Sequence, residues 1–160
     1  MTTLLLPGLI DVHTTVGFSG MLNVDADQDQ LERSQPVQPE LRAIDAFDIH
    51  EELIAWIRSY GVTTIHAGHA PGELVSGQTL IAKTIGNTAE EAVMVPAKTV
   101  SVTLTAPARK TDGKSPGTRG KMISMLRAEL IKATEYARKH DAPLKSEDPE
   151  SEEADDPPPT

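Results

Sequence analysis

A strand, a helix and a second strand in close succession constrain this chain more than any other feature. Leu9-Ile10-Asp11-Val12-His13 is nearly continuous in apolar character and follows the turn pair Pro7-Gly8. That pattern predicts a buried strand over 9–13, of the parallel kind covered on both faces. Residues 48–60 predict a helix: Asp48 can cap it, Glu51 completes a capping box, and Leu53, Ile54, Trp56, Ile57 and Tyr60 supply an apolar stripe. Gly61 stands where a left-handed residue ends a helix, and the β-branched run 62–67 predicts the second strand. Such a unit crosses over right-handed, and folds built from it place their sites at the C-terminal ends of the strands.

The rest of the chain is read around this unit. Residues 14–46 show neither helical nor strand period and contain Gly17, Gly20, Pro36 and Pro39; an unstructured connection of that length implies a functional loop. Residues 78–85 and 93–104 are strand-like and predict an inserted hairpin or small sheet. A basic loop over 109–120 leads into a long helix through Lys139, capped by Thr118 or Ser115, with Met122, Leu126, Leu130, Ala133 and Ala137 along one face. From His140 to Thr160 the chain carries eight acidic residues against Lys145 and loses all period, which predicts a disordered tail. The expected organisation is therefore a folded part over 1–139 and an acidic, proline-rich tail or linker over 140–160.

That tail accounts for most of the formal charge of −9. The near-neutral remainder has no clustered basic face, which excludes a nucleic-acid footprint. No apolar run approaches the roughly 18 residues that span a bilayer, and the first residues lack a basic segment ahead of a long apolar one. The expectation is thus no membrane partner and no signal peptide, with the compartment left open. Absence of cysteine excludes disulfides, thiolate zinc sites and thiol catalysis.

Few side chains suggest chemistry. His13 ends the first strand, a site position, although a packed or capping histidine fits equally. His66 and His69 end the second strand; a shared metal, a substrate contact and an ordinary loop role are all open, and a metal ion wants at least three protein ligands. Residues 115–122 resemble a phosphate loop but have Ser115 where its first glycine belongs and Met122 where its hydroxyl belongs. Asp25, Asp27, Asp29 and Glu32 resemble part of a calcium loop, yet Gln30 and Pro36 occupy the positions that need glycine and glutamate.

Leu6-Pro7-Gly8-Leu9-Ile10-Asp11-Val12-His13 resembles the first strand of the metal-dependent amidohydrolase superfamily. The likeness continues through Pro36-Val37-Gln38-Pro39-Glu40-Leu41-Arg42-Ala43-Ile44-Asp45, Gly61-Val62-Thr63-Thr64 and Lys114-Ser115-Pro116-Gly117-Thr118-Arg119-Gly120, and is similar to the imidazolonepropionase-like branch over residues 4–139. The resemblance implies an α/β fold, part of a TIM-type (β/α)8 barrel with an inserted β-hairpin. It also implies hydrolysis of non-peptide carbon–nitrogen bonds in a small-molecule substrate by water activated on a divalent metal, zinc by preference. His13 carries over as a metal ligand, with His66 and His69 near the substrate. The second histidine of the strand motif is replaced by Thr15, and the other ligands belong to later strands.

A complete barrel needs about 250 residues. The chain therefore reads as an inactive N-terminal fragment of such an enzyme. The competing expectation is a non-catalytic relative that associates with a second copy or with a complementing chain.

Overall fold

The computed structural model describes residues 4–22 and 24–141, so the tail expected to be disordered lies, from residue 142 onward, outside the described residues. Contacts divide the chain into two units, Met1–Ser124 and Met125–Thr160. Among the described residues the first holds the sheet structure, and the second contains the later part of one long helix.

The expected strand–helix–strand unit is present, but its first strand is not buried as expected: Leu9, Ile10 and Val12 are exposed. Strands β1 (Leu9–Thr14) and β2 (Val62–Ala67) pair in parallel, and helix α1 (Glu52–Ser59) lies between them in sequence. Gly61 takes a positive φ of 92° after α1, as its position predicts. Helix α1 is shorter than expected at its start, because Asp48 does not cap it. The Asp48 Oδ1 instead accepts the amide of His50 at 2.8 Å, closing a turn ahead of the helix. The apolar stripe is also narrower: Ile54 is buried, but Trp56 and Tyr60 are exposed and meet edge to face at 5.2 Å. They lie off the core because only Ile54, with Ile57, turns toward β2 and the loop beneath it.

Beyond β2 the structure departs from the expected insertion. The two strand-like runs each divide, giving β3 (Val75–Gln78), β4 (Leu80–Lys83), β5 (Val93–Val95) and β6 (Val100–Val102), with a short helix α2 (Ala89–Ala92) before β5. Strand β4 runs antiparallel to β2 and extends the main sheet, whose order is β1-β2-β4-β5; β3 and β6 form a separate antiparallel pair. Among the described residues the main sheet is thus mixed and does not close into a barrel. The division has local causes. Pro96 has no amide to donate, so the ladder stops at β5. Thr79, between β3 and β4, exchanges backbone hydrogen bonds with Lys98 and Thr99 at 2.8 Å, which pins the crossing point of the two sheets.

The connection from β1 to α1 supplies much of the core. Phe18, Ala43, Phe47 and Ile49 are buried with Ile54, Ile65, Ala67, Leu80, Ala82 and Ala92, and the Phe18 and Phe47 rings lie 5.7 Å apart. Burying each large side chain contributes roughly 1.5–3 kcal/mol. The same segment forms parallel bridges to β3 through Val37–Val75 and Arg42–Gln78, so it behaves as an extra, interrupted strand.

Helix α3 (Arg119–Asp141) follows the basic loop. Thr118 caps it as expected: its hydroxyl accepts the Lys121 amide at 3.2 Å. Met122 is buried in the first unit, whereas in the second Leu130 and Ile131 are exposed. No helix among the described residues is long and apolar enough to cross a membrane.

Candidate functional site

The parallel register aligns the C-terminal ends of β1 and β2, with Thr14 opposite Ala67. His13, His66 and the loop carrying His69 are therefore brought to one end of the sheet. Their side chains are in three different states.

His13 is exposed. Its backbone amide donates to Asp11 Oδ1 at 3.1 Å, and its imidazole has no partner among the described residues. Immediately after it the chain turns, with the Phe18 amide bonded to the Thr15 carbonyl at 3.0 Å.

His66 is fully engaged. Nδ1 lies 3.1 Å from the Val12 carbonyl and Nε2 lies 2.7 Å from the Thr79 hydroxyl. A carbonyl only accepts, so Nδ1 carries a proton; in the neutral ring Nε2 then accepts from Thr79. Thr79 Oγ1 in turn meets Thr99 Oγ1 at 2.7 Å. His66 thus ties β1 to the crossing point of the two sheets and has no ring nitrogen left for a metal.

His69 is buried beside Phe18, with ring centroids 6.3 Å apart, and neither ring nitrogen makes a hydrogen bond. Burial pushes this imidazole below its ordinary range, against an opposing pull from the Leu41 carbonyl. It approaches β3 only because residue 77 is glycine: a Cβ there would stand 2.7 Å from His69 Nε2, and φ is +125°.

A second cluster surrounds Glu51 and takes in Asp27 and Asp29 of the acidic run noted in the sequence. Asp27, Asp29, Asp48 and Glu51 line a cleft of about 140 Å³ under the Gly17–Gly20 turn. Glu51 precedes α1, yet its carboxylate reaches back to accept the amide of Gly17, while the Gly17 carbonyl accepts from Asp48 at 2.9 Å. Burial pushes the Glu51 carboxyl above the usual carboxylate range; the Gly17 amide opposes this, and Asp48 and Asp27 add to it. The sequence signal was the capping-box pattern, which put Glu51 inside the first turn, whereas it immediately precedes the helix and its side chain accepts from Gly17. Nearby, Asp27 Oδ2 accepts the Leu22 amide at 3.0 Å.

Among the described residues no group of three or more histidine, aspartate or glutamate side chains is arranged to hold a metal ion. The individual histidines show why: His66 is tied by both nitrogens, His69 is buried against Phe18, and Thr15 stands where the resemblance expects an imidazole. Of the histidines at the strand ends that leaves His13, and one ligand does not hold catalytic zinc. The described residues therefore do not fit a complete metal centre.

No protein-family model matches the sequence, and no curated protein matches it. The fold is similar to the crystal structure of an amidohydrolase from Thermotoga maritima MSB8, with a TM-score of 0.80 and 24% identity. The match takes in 94% of this chain and 40% of that one, so the chain spans about two fifths of the length of its structural relative. What the two share is the fold.

Proposed function

We propose that the chain is the N-terminal part of an amidohydrolase-type enzyme of the imidazolonepropionase-like branch. It would cleave a non-peptide carbon–nitrogen bond of a small molecule with metal-activated water. The observation that carries this reading is the place of His13: a free imidazole at the C-terminal end of a parallel first strand, in a fold shared with an amidohydrolase. In this reading the chain contributes one ligand position and its scaffold. His66 locks the end of β1 against the crossing point of the two sheets, and Glu51 holds the turn that follows β1 through Gly17. Activity belongs to a structure in which later strands bring the missing ligands, and the chain alone is inactive.

The test is a chimera in which this chain replaces the matching segment of the Thermotoga protein, made with Thr15 and with Thr15→His. Uptake of one zinc ion by the folded Thr15→His chimera supports the reading. A chimera that folds cooperatively and takes up no metal in either form overturns it.

One observation favours a second reading, association with a complementing chain. Among the described residues strand β1 is paired on one edge only, and Leu9, Ile10 and Val12 are 59%, 66% and 76% exposed although their sequence is that of a covered strand. Light scattering on the full chain, alone and with the remaining three fifths of the Thermotoga protein, separates the two: a defined heterodimer supports complementation, and no association rejects it.

A further inference from the structure

His66, Thr79 and Thr99 form a continuous chain of hydrogen bonds that runs from β1 to the surface, and counting protons fixes its direction. In the neutral ring the His66 Nδ1 proton goes to the Val12 carbonyl at 3.1 Å, so Nε2 has none and must accept. The Thr79 hydroxyl, 2.7 Å away, is the donor. A hydroxyl has one proton and two lone pairs. With its proton on Nε2, Thr79 Oγ1 accepts twice: from the Thr99 amide at 3.2 Å and from the Thr99 hydroxyl at 2.7 Å. The other acceptor within reach of the Thr79 proton, the Thr99 carbonyl, is farther away at 3.3 Å.

The three residues differ in access. Thr79 is 4% exposed, His66 is half-buried and Thr99 is exposed. Backbone bonds hold the two hydroxyls together: the Thr79 amide donates to the Thr99 carbonyl and the Lys98 amide to the Thr79 carbonyl, both at 2.8 Å. Thr99 thus gives its proton inward, and its oxygen accepts from no group among the described residues. A nucleophilic hydroxyl needs a base to take its proton and a third group to orient that base. Here the base is His66, reached through Thr79, and the orienting group is the Val12 carbonyl.

We infer that Thr99 is an acyl-acceptor site that reacts with activated carboxylic esters. Thr99 Oγ1 attacks the carbonyl carbon; a new C–O bond forms, and the bond to the leaving aryloxide breaks with its electron pair. The Thr99 proton passes to Thr79 Oγ1 as the Thr79 proton passes to His66 Nε2. The imidazolium then gives its proton to the departed aryloxide, leaving O-acyl-Thr99 and a phenol. An aryl ester fits because its leaving group is a weak base that departs without a general acid beside it. Thr79 and His66 act through Thr99 and are positioning residues. Neither a metal nor His13 enters this chemistry, so it stands apart from the proposed hydrolase reading.

The test treats the full chain with p-nitrophenyl acetate and locates the acetyl group by mass spectrometry of its peptides. Thr99 should be acetylated at least about ten-fold faster than the exposed Thr105 and Thr111. His66→Gln keeps an oxygen that accepts from Thr79 but takes no proton. It should slow acetylation of Thr99 roughly 100-fold with little change in the denaturation midpoint, whereas a purely structural His66 would leave the rate unaltered in that folded variant. Thr99→Ser should retain the reaction. If His66→Gln fails to fold, the unaltered chain in urea decides, because the preference for Thr99 should vanish on unfolding. No adduct at Thr99, a rate equal to that of Thr105 and Thr111, an unreactive Thr99→Ser, or a Thr99 rate unchanged in folded His66→Gln or in urea overturns the inference.

Discussion

The amide of Gly17 donates to the carboxylate of Glu51, 34 residues further along the chain. This bond, with the Asp48 amide returning to the Gly17 carbonyl, fastens the turn after β1 to the start of α1 and converts a long connection into part of the core. Glu51→Ala should therefore cost about 1–2 kcal/mol, read as a lower midpoint of chemical denaturation with an unchanged slope. Glu51→Gln keeps the acceptor and removes the charge. Because the folded carboxyl titrates above its ordinary value of 4.5, its contribution is complete below that pH and is lost as pH rises through the folded value. Glu51→Gln should then match or exceed the parent in stability at pH 7, with any advantage gone below about pH 4.5.

Gly17 is required for a second reason. Its φ is +97°, and a Cβ would stand 2.4 Å from Phe47 Cε2. Gly17→Ala should destabilise by about 2 kcal/mol or more, combining left-handed strain with displacement of a core ring. A melting temperature equal to the parent's would contradict this account of the turn.

His69 predicts an acid-sensitive fold. Its folded value lies below the ordinary 6.5, so on acidification the unfolded chain binds the proton first. Stability is intact above about pH 6.5 and declines as pH falls from there through the lowered folded value. The His69 ring proton, followed by NMR, should titrate with a midpoint under 6.5; a midpoint at or above it would refute the assignment.

His66 and His13 should behave oppositely. His66→Ala removes one partner from the Thr79 hydroxyl, which keeps Thr99, and one from the exposed Val12 carbonyl, and should cost about 1 kcal/mol, with zinc uptake unchanged. His13→Ala should leave stability within about 0.5 kcal/mol and abolish whatever weak zinc binding the full chain shows. Stoichiometric, tight zinc binding by the full chain in calorimetry would contradict a one-ligand site.

Removing the Lys110 ammonium while leaving Glu73 in place isolates a buried charge. Lys110→Met should destabilise by about 3 kcal/mol or more, and the double variant Lys110→Met with Glu73→Gln should recover a large part of that loss. Denaturation of the two variants side by side measures the coupling.

The parts legible in the sequence were those governed by short-range rules. The period and end signals of 9–13, 48–60 and 62–67 produced the parallel pair and its helix, Gly61 ended that helix, and Thr118 capped the last one, because each depends on a few neighbouring residues. The place of His13 near the end of a strand was legible for the same reason, although the strand runs one residue further, to Thr14. The antiparallel run of β4 along β2, the separate β3–β6 pair and the core role of Phe18, Ala43 and Phe47 were not legible. They rest on contacts between distant segments that have no period of their own.

The chemistry divides in the same way. The sequence by itself determined which titratable side chains sit at the strand ends and that Thr15 replaces an expected imidazole. Only the tertiary structure decided their states: His66 spent on two hydrogen bonds, His69 buried with neither ring nitrogen hydrogen-bonded, Glu51 turned back onto Gly17, and Glu73 buried with one oxygen unanswered. The reason is physical. Residue type sets what a side chain can donate, accept or titrate, whereas desolvation and partners, supplied by segments tens of residues away, set which of those capacities remains free.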